Sequence, residues 1–341
     1  MRKTKNRTLT ATKKPSVDAF TFGDPVSMLD RREIFDYLEC ALIDNYYEPP
    51  ISFEGLSRIF RAAAHHSSAI YVKRNILSST FVPHQWLSRQ DFDRFALDFL
   101  IFGNAYLERR KNGLNKTISL KSIPAKLTRR GEDLATYYLL HAGFDSVPFT
   151  FQRGQVFHLL EPDINQEIYG LPEYLAAMTA ILLNESATLF RRKYYLNGSH
   201  AGYILYINDT INFQDIDNLR EQLKSSKGLG NFRNLLLYSP NGKKDGIQTI
   251  PLSEAAAKDE FLNIKNVSRD DMLAAHRVPP QLMGIMPQNV GGFGDVQKAA
   301  NVFICNELHP LQHKMQQLNE WLGEEVIQFT PYALNRIKNK I

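Results

Sequence analysis

Residues 278–295 read VPPQLMGIMPQNVGGFGD and separate two segments that both carry helical apolar spacing. The three prolines of this stretch prevent one continuous helix, because proline lacks the backbone N–H that a helix interior requires. Its four glycines allow positive φ at little steric cost. The stretch therefore predicts a loop that either moves or lies close to another surface.

Three long helices are predicted around this loop. Ser253 is a suitable N-cap for a helix over residues 253–277. After the loop, residues 296–323 carry a second helical pattern, in which Pro310 predicts a kink. Earlier in the chain, residues 171–197 have the apolar spacing of a third helix.

The rest of the chain mixes helical and strand patterns. Amphipathic spacing predicts helices over 30–45, 51–66 and 213–227, while short β segments bounded by Gly and Pro follow the first two. Residues 228–252 hold NLLLYSP and QTIPLS around two turn dipeptides, which favour a β-hairpin. Together these patterns predict an α+β fold.

Charge and cysteine content narrow the function classes. The 41 Lys and Arg against 36 Asp and Glu permit a polyanionic partner without requiring one. Residues 1–24 are polar and basic, which predicts a flexible tail. Cys40 and Cys305 lie far apart in apolar helical contexts, which predicts reduced core thiols. No apolar h-region or span of ~18 apolar residues occurs, so we expect a protein made and used in the cytosol or in an assembly built there.

Motifs of nucleotide binding and nucleophilic catalysis are missing from the sequence. It contains neither G-x-x-x-x-G-K-[ST] nor a G-x-S-x-G nucleophile elbow. The GGFG run at 291–294 precedes a helix and allows only a general anion contact through backbone N–H groups. We therefore expect no enzymatic activity and no cofactor.

One metal-binding pattern keeps an alternative open. Glu307, His309 and His313 share one segment, and two histidines four residues apart can lie on one helix face. The spacing differs from H-E-x-x-H, and Pro310 distorts the face between the histidines. We expect no metal, and a metal-dependent nucleic-acid enzyme using His309 and His313 stays as the alternative function.

Cations are concentrated around residues 228–252, with Asp245 as the only nearby acid. This concentration indicates docking to an acidic or nucleic-acid partner, and a solvated turn is an equal alternative. The cations are Lys224, Lys227, Arg233, Lys243 and Lys244.

Five stretches, in their order and spacing, resemble the portal proteins of tailed bacteriophages, closest to the type of temperate contractile-tailed phages and related defective prophages. The resemblance covers nearly the whole chain. The stretches are FTFGDPVSMLD at 20–30, YYEPPISFEGLSRIFRAAAHHSSAIYVKRN at 46–75, FLIFGNAYLERRKN at 99–112, YGLPEYLAAMTAILLNESATLFRRKYYLNGSHAGYIL at 169–205 and VPPQLMGIMPQNVGGFGDVQKAANVF at 278–303.

The resemblance implies a dodecameric ring at one capsid vertex, through which double-stranded DNA enters and leaves. It implies docking of the terminase large subunit and later of neck or head-completion proteins, with the major capsid and scaffold proteins as further partners. The implied location is the virion, after assembly in the host bacterial cytoplasm and without a membrane.

The resemblance also divides the chain into portal regions, with a short crown because the sequence ends soon after Tyr332. These regions are a basic tail at 1–24, an α/β wing at 25–212, stem helices at 213–227 and 253–277, an α/β clip at 228–252, a tunnel loop at 278–295, and a kinked helix with a C-terminal wing or crown segment at 296–341.

The tunnel loop is the implied DNA contact, and its glycines would let each copy adopt its own conformation against DNA whose symmetry differs from the ring. The loop has no Lys or Arg, so it would not grip phosphates in a way that opposes sliding. Its candidate contact residues are Gln288, Asn289, Gly291, Gly292, Phe293 and Gly294.

Overall fold

The computed structural model describes residues 40–140, 147–196, 203–207, 235–238, 247–251, 254–285 and 295–333. Helices and mainly antiparallel sheets are mixed along these residues, which confirms the α+β fold class. The predicted basic tail at 1–24 and the predicted stem helix at 213–227 lie outside the described ranges.

The described chain starts with two short strands and three helices. Strands β1 (Leu42–Ile43) and β2 (Tyr46–Tyr47) pair antiparallel, so the helix predicted over 30–45 is wrong at its C-terminal end. The helix predicted over 51–66 is also wrong in its bounds, because the chain leaves the helix after Ile59 and starts a new one at Ala64. The three helices are α1 (Phe53–Ile59), α2 (Ala64–Thr80) and, after strand β3 (Phe81–Val82), α3 (Arg89–Phe102).

Local capping explains where α3 begins and ends. Ser88 Oγ accepts a hydrogen bond from the Asp91 backbone N–H at 3.1 Å, which satisfies one of the free donors of the first turn. Gly103 ends the helix at φ 67°, a conformation that glycine adopts at low cost. Position 103 also lies against Leu171, where a Cβ would come within 2.6 Å of the backbone.

Two sheets are completed by the strands that follow α3. Strand β4 (Asn104–Lys111) is the centre of a three-stranded antiparallel sheet with the order β5-β4-β9. The second sheet has the order β1-β2-β6-β7-β8 and is antiparallel throughout. The other strands of the two sheets are β5 (Thr117–Ile123), β6 (Thr128–Gly131), β7 (Tyr137–Leu139), β8 (Phe149–Thr150) and β9 (Val156–Leu160).

Two long helices pack along each other after these sheets. A 3₁₀ turn at Glu173–Ala177 leads into α4 (Met178–Leu196), within the helix predicted over 171–197. Its packing partner is α5 (Glu254–Ala275), which confirms the helix predicted over 253–277. Asn184 Nδ2 of α4 donates a buried hydrogen bond to Ser268 Oγ of α5 at 2.8 Å.

A small sheet lies between these two helices in the chain. Its strands are β10 (Tyr203–Ile207), β11 (Leu235–Tyr238) and β12 (Ile247–Pro251). Strand β10 is central, parallel to β11 and antiparallel to β12, so the hairpin predicted within 228–252 is wrong. A turn dipeptide predicts that the two strands next to it in the chain pair with each other. Here β10 lies between β11 and β12, so these two strands do not pair. The predicted boundary at residue 212 therefore divides one sheet.

The C-terminal part is helical with one irregularity. Helix α6 (Val296–Phe303) continues through a π turn (Ile304–Leu308) into α7 (His309–Leu322), and β13 (Gln328–Phe329) then pairs with β3. Pro310 lies in the first turn of α7, directly after the π turn. Cys305 is exposed in the π turn, so its predicted place in the core is wrong.

The hydrophobic core is formed where α2, α3, α6 and α7 cover the β4 sheet. Phe81 and Phe92 stack with their ring centroids 4.0 Å apart, and Leu311, Met315 and Leu318 are buried along α7. No helix in the described part of the chain is long and apolar enough to cross a membrane.

Candidate functional site

The described flanks of the glycine and proline segment are packed together at its base. Before the segment, α5 ends at Ala275 and is capped by Arg277, which has φ 53°, and the next residue Val278 is buried. Val278 N donates to Leu273 O at 3.1 Å and Arg277 N to Ala274 O at 3.0 Å, the bonds of a Schellman cap. The 3₁₀ turn Pro280–Met283 then packs against α6, which begins after the segment.

Six charged side chains meet at this base, and we call them the loop-base cluster. Three are cations and three are carboxylates, so the cluster is balanced in charge. They come from α2, α5, α7, the π turn, the end of β9 and the turn that precedes α4. The members are Lys73, Arg277, Lys314, Glu161, Glu173 and Glu307.

Glu307 is the most buried carboxylate of the cluster, and its two cationic partners lie in distant segments of the chain. Lys73 Nζ lies 2.5 Å from Glu307 Oε1, with side-chain exposures of 3% and 2%. Arg277 Nη1 lies 3.0 Å from Glu307 Oε2 and also 3.0 Å from Glu173 Oε2. Arg277 therefore joins the residues just before the glycine and proline segment to those that follow α6.

Lys314 extends the cluster to the sheet. Its Nζ lies 2.6 Å from Glu161 Oε2 and 3.3 Å from Glu173 Oε1. Glu161 directly follows β9, and its backbone N–H donates to Gly103 O at 2.7 Å. Because Glu173 contacts all three cations, it links the two halves of the cluster.

The π turn is the element that carries Glu307 into the cluster. Such turns insert one extra residue into a helix and are frequent at functional sites. Here the His309 backbone N–H donates to Ile304 O, five residues back. Pro310 has no N–H to donate, so the wider turn accommodates a residue that would otherwise interrupt the helix.

Charge pairing and burial have opposite effects on the pKa values of the cluster. The hydrogen bond that Arg277 donates to Glu307 raises the pKa of Arg277 further, against the effect of partial burial. Burial works to raise the pKa of Glu173, but Lys73, Arg277 and Lys314 together outweigh it and lower that pKa. At Glu161 burial prevails over Lys314, and the pKa is raised. Glu173 and Arg277 are therefore each stabilised in the charged form by their partners in the cluster.

A buried histidine pair adjoins the cluster. His66 Nδ1 and His276 Nε2 lie 2.8 Å apart, and the Tyr174 ring packs against both imidazoles. Burial lowers the pKa of His66 to about 4. Burial, with the nearby charge of Lys73, lowers the pKa of His276 to about 2. Both rings are therefore neutral at physiological pH, and one donates to the other.

A cavity of about 20 Å³ lies beside this pair, with Lys73, Glu161, Glu173 and His276 among its lining residues. That volume holds one water molecule. The cavity is thus part of the polar packing and is too small for an organic ligand.

The structure does not bring the alternative metal ligands together. Glu307 points into the buried cluster and is paired with Lys73, whereas His309 and His313 are exposed on α7. Over the described residues, no group of three His, Cys, Asp or Glu side chains is arranged to hold a metal ion.

The predicted contact residues of the tunnel loop and clip fall outside the described ranges. These residues are Gln288, Asn289, Gly291, Gly292, Phe293 and Gly294 in the loop, and Lys224, Lys227, Arg233, Lys243 and Lys244 in the clip. Their roles stay predictions.

Sequence reasoning missed the loop-base cluster, although one signal was present. Lys73 lies in the run AIYVKRNIL on the same face of α2 as Ile70 and Leu77, both fully buried. A lysine on the apolar face of a helix requires a buried carboxylate. The sequence does not identify that carboxylate, because Glu307 lies 234 residues away.

Comparison with known proteins identifies the family of this chain. The model of the family described as "Phage portal protein" matches residues 67–339. The chain belongs to the phage portal protein family. It is 58% identical to the "Probable portal protein" of Escherichia phage P2 over 330 residues, which cover 96% of this chain and 95% of the relative. It is 32% identical to the "Probable portal protein" of Haemophilus phage HP1, over 81% and 82% of the two chains.

Solved structures show that the portal fold extends over most of the chain. A chain of the virion of a native gene transfer agent particle superposes with a TM-score of 0.60 at 17% identity, over 90% of both chains. A chain of the neck of that particle, computed with C12 symmetry, gives 0.58 at 16% identity, over 84% and 86%. An HK97 family phage portal protein from Corynebacterium diphtheriae gives 0.52 at 13% identity, over 77% and 92%.

Membership of the portal family settles the broad function and leaves the metal-dependent alternative without support. The loop-base cluster lies within the matched region, and so does the complete glycine and proline segment. The cluster is thus a structural feature of a portal-family chain, at the place where the predicted tunnel loop joins the rest of the subunit.

Proposed function

We propose that copies of this chain close into a dodecameric ring at one capsid vertex and that residues 278–295 face the central channel as the tunnel loop. The observation that carries the proposal is membership of the portal family, together with a buried charged cluster that joins Arg277, directly before this segment, to Glu307 in the π turn after α6. The C12 symmetry of the neck that contains a structural neighbour supports the subunit number.

The channel passes double-stranded DNA during packaging and ejection. The loop contacts DNA through Gln288, Asn289 and Phe293 without charged side chains, so contact adds little electrostatic affinity. The loop-base cluster is consistent with this, because its three cations are each paired with carboxylates and are not free to bind phosphate. A buried, charge-paired base with a loop that has no Lys or Arg suits a passage in which DNA slides.

The packing suggests a stem different from the predicted one. Helices α4 and α5 lie along each other, and their hydrogen bond between Asn184 and Ser268 is buried. The chain between them contains the sheet of β10, β11 and β12. We therefore assign α4 and α5 as the stem and residues 197–253 as the clip, which places residues 213–227 within the clip.

The clip is the proposed docking surface for the terminase large subunit and later for neck or head-completion proteins. Its predicted contacts remain Lys224, Lys227, Arg233, Lys243 and Lys244, whose charge suits an acidic partner. The ring would meet the major capsid and scaffold proteins during assembly in the bacterial cytoplasm. The chain has no catalytic role in this scheme, and the packaging motor supplies the energy.

Deletion of Val290 to Gly294 tests the proposal in particles assembled with the full-length chain. We expect rings of unchanged size by electron microscopy and a loss of packaged DNA of about tenfold or more, because the loops no longer reach the DNA. The control is Glu324→Gln with Glu325→Gln, two exposed carboxylates away from the loop. Monomers as the only species of the wild-type chain, or unchanged packaging after the deletion, would contradict the proposal.

A further inference from the structure

The hairpin formed by β4 and β5 extends beyond the sheet to which it belongs. The ladder from β4 to β9 covers Asn104 to Glu108, whereas the ladder from β4 to β5 continues to Lys111. Residues 110–118 therefore form a two-stranded projection, which we call the basic hairpin. Its residues from Arg110 to Lys116 are all exposed.

Hydrogen bonds hold the tip of the basic hairpin in one conformation. Asn112 Oδ1 accepts from the backbone N–H groups of Leu114 and Lys116, both at 3.0 Å. Asn112 N also donates to Lys116 O at 2.9 Å, and Asn115 N donates to Asn112 O at 2.9 Å. A surface segment ordered before it binds loses little conformational entropy on binding.

This ordered tip presents two apolar side chains to solvent. Leu114 at the turn is 80% exposed. Ile118 is the residue skipped by the register shift between Arg110 and Lys111, and it is 54% exposed. A β-bulge commonly re-aims a side chain, which explains why an isoleucine next to a buried strand faces outward here.

Cations surround these apolar side chains. Arg110 is paired with Glu108 at 2.9 Å, but Lys111 and Lys116 form no ion pair with any of the residues that the structure describes. The apolar tip thus has a positive rim. The chemistry that complements it is an apolar pocket surrounded by carboxylates.

We propose that the basic hairpin docks into such a pocket on a different protein of the particle. DNA offers the charge but no pocket for Leu114, and a lipid surface requires a larger apolar area than two side chains provide. The existence of a particle rests on the proposed function. In a ring, each subunit would present one hairpin, so weak individual contacts would add up to firm attachment.

Photochemical cross-linking in assembled particles tests this inference. A p-benzoylphenylalanine is incorporated at position 114 of the full-length chain, and adducts are identified by mass spectrometry after irradiation. We expect one main adduct, with a protein other than this chain, through a peptide rich in Asp and Glu. Charge reversal with Lys111→Glu and Lys116→Glu should lower its yield about tenfold. Leu134, an exposed residue in the turn after β6, is the matched control position.

Several outcomes would overturn the inference. They are adducts mainly with DNA, lipid or a second copy of this chain, no adduct, the same adduct from position 134, and an unchanged yield after charge reversal. Electron microscopy of the charge-reversed rings checks that they still assemble. A wild-type chain that forms the adduct but no ring would contradict the proposed function alone, whereas intact rings without the adduct would contradict this inference alone.

Discussion

Arg277 occupies a backbone position that glycine would adopt at lower conformational cost. It is the left-handed residue of the cap that ends α5, at φ 53°. Its side chain makes two 3.0 Å contacts, with Glu173 and Glu307, that glycine could not make. The residue is therefore best explained by the cluster that it completes, and the same holds for Lys73 on the apolar face of α2.

The pair of Lys73 and Glu307 gives the first prediction at this scale. We expect Glu307→Gln to lower the free energy of unfolding by about 3 kcal/mol, because it leaves the Lys73 charge buried without its nearest counter-charge. The double variant Lys73→Met with Glu307→Leu should recover most of the loss, since it buries no isolated charge. Urea denaturation measures both values.

Glu54→Gln is the matched control for this prediction, because Glu54 forms ion pairs with Arg58 and Lys126 at the surface. Exposed ion pairs contribute little to the free energy of unfolding, so we expect Glu54→Gln to be about as stable as the wild type. Equal effects of Glu307→Gln and Glu54→Gln would contradict the role of burial.

The buried histidine pair predicts a pH dependence of stability. Burial lowers the pKa of His66 from 6.5 to about 4, so the unfolded chain binds the extra proton first as the pH falls. Stability contributed by the neutral ring is complete above pH 6.5 and decreases towards about pH 4. Between about pH 7 and about pH 4.5, we expect the free energy of unfolding of His66→Gln to fall by about 2 kcal/mol less than that of the wild type.

Denaturation curves at the two pH values measure this difference, and His313→Gln at an exposed position is the control. Parallel losses in the wild type and the His66 variant would show that other groups cause the acid sensitivity.

At the scale of elements, two backbone segments approach closely where the β4 sheet meets the residues that lead into α4. Asn104 Nδ2 donates to Gly170 O at 2.7 Å and the Gly170 N–H donates to Asn104 Oδ1 at 2.8 Å. A Cβ on Gly170 would lie 2.1 Å from Gly103 O and 2.4 Å from Glu161 N. The meeting point of β4, β9 and the segment that leads into α4 thus depends on glycine at position 170.

Gly170→Ala should therefore separate these segments and lower the free energy of unfolding by about 3 kcal/mol or more, because backbone atoms cannot yield as a side chain can. Thermal unfolding or the yield of soluble protein measures the effect. Gly113→Ala is the control, since nothing lies within 4 Å of a Cβ at that position. A variant at Gly170 as stable as this control would disprove the close approach.

At the scale of the whole molecule, a ring repeats every substitution in each subunit. In a ring of twelve, as in the C12 neck, Asn289→Lys would add twelve positive charges around the channel. Each neutralised phosphate adds affinity and salt dependence, so we expect slower DNA ejection that recovers as the salt concentration rises. Asn289→Ser, which adds no charge to the loop, is the control. Ejection rates of Asn289→Lys particles that match the control at every salt concentration would argue against contact between this loop and DNA.

The sequence by itself determined the features that depend on neighbouring residues. Pro279 and Pro280 prevent α5 from continuing, because proline has no N–H to donate, and the helix at 254–275 follows from local apolar spacing. The resemblance of five residue stretches, in their order and spacing along the chain, was enough to indicate the portal family.

Only the tertiary structure decided which distant segments meet. Strand β10 lies between β11 and β12, and α4 packs against α5. Lys73 forms an ion pair with Glu307, which lies 234 residues later in the chain. Such contacts depend on burying apolar faces and pairing buried charges over the whole chain, and each is one of many pairings that the sequence allows. The physical reason is that periodicity describes one element at a time, whereas packing selects among all elements at once.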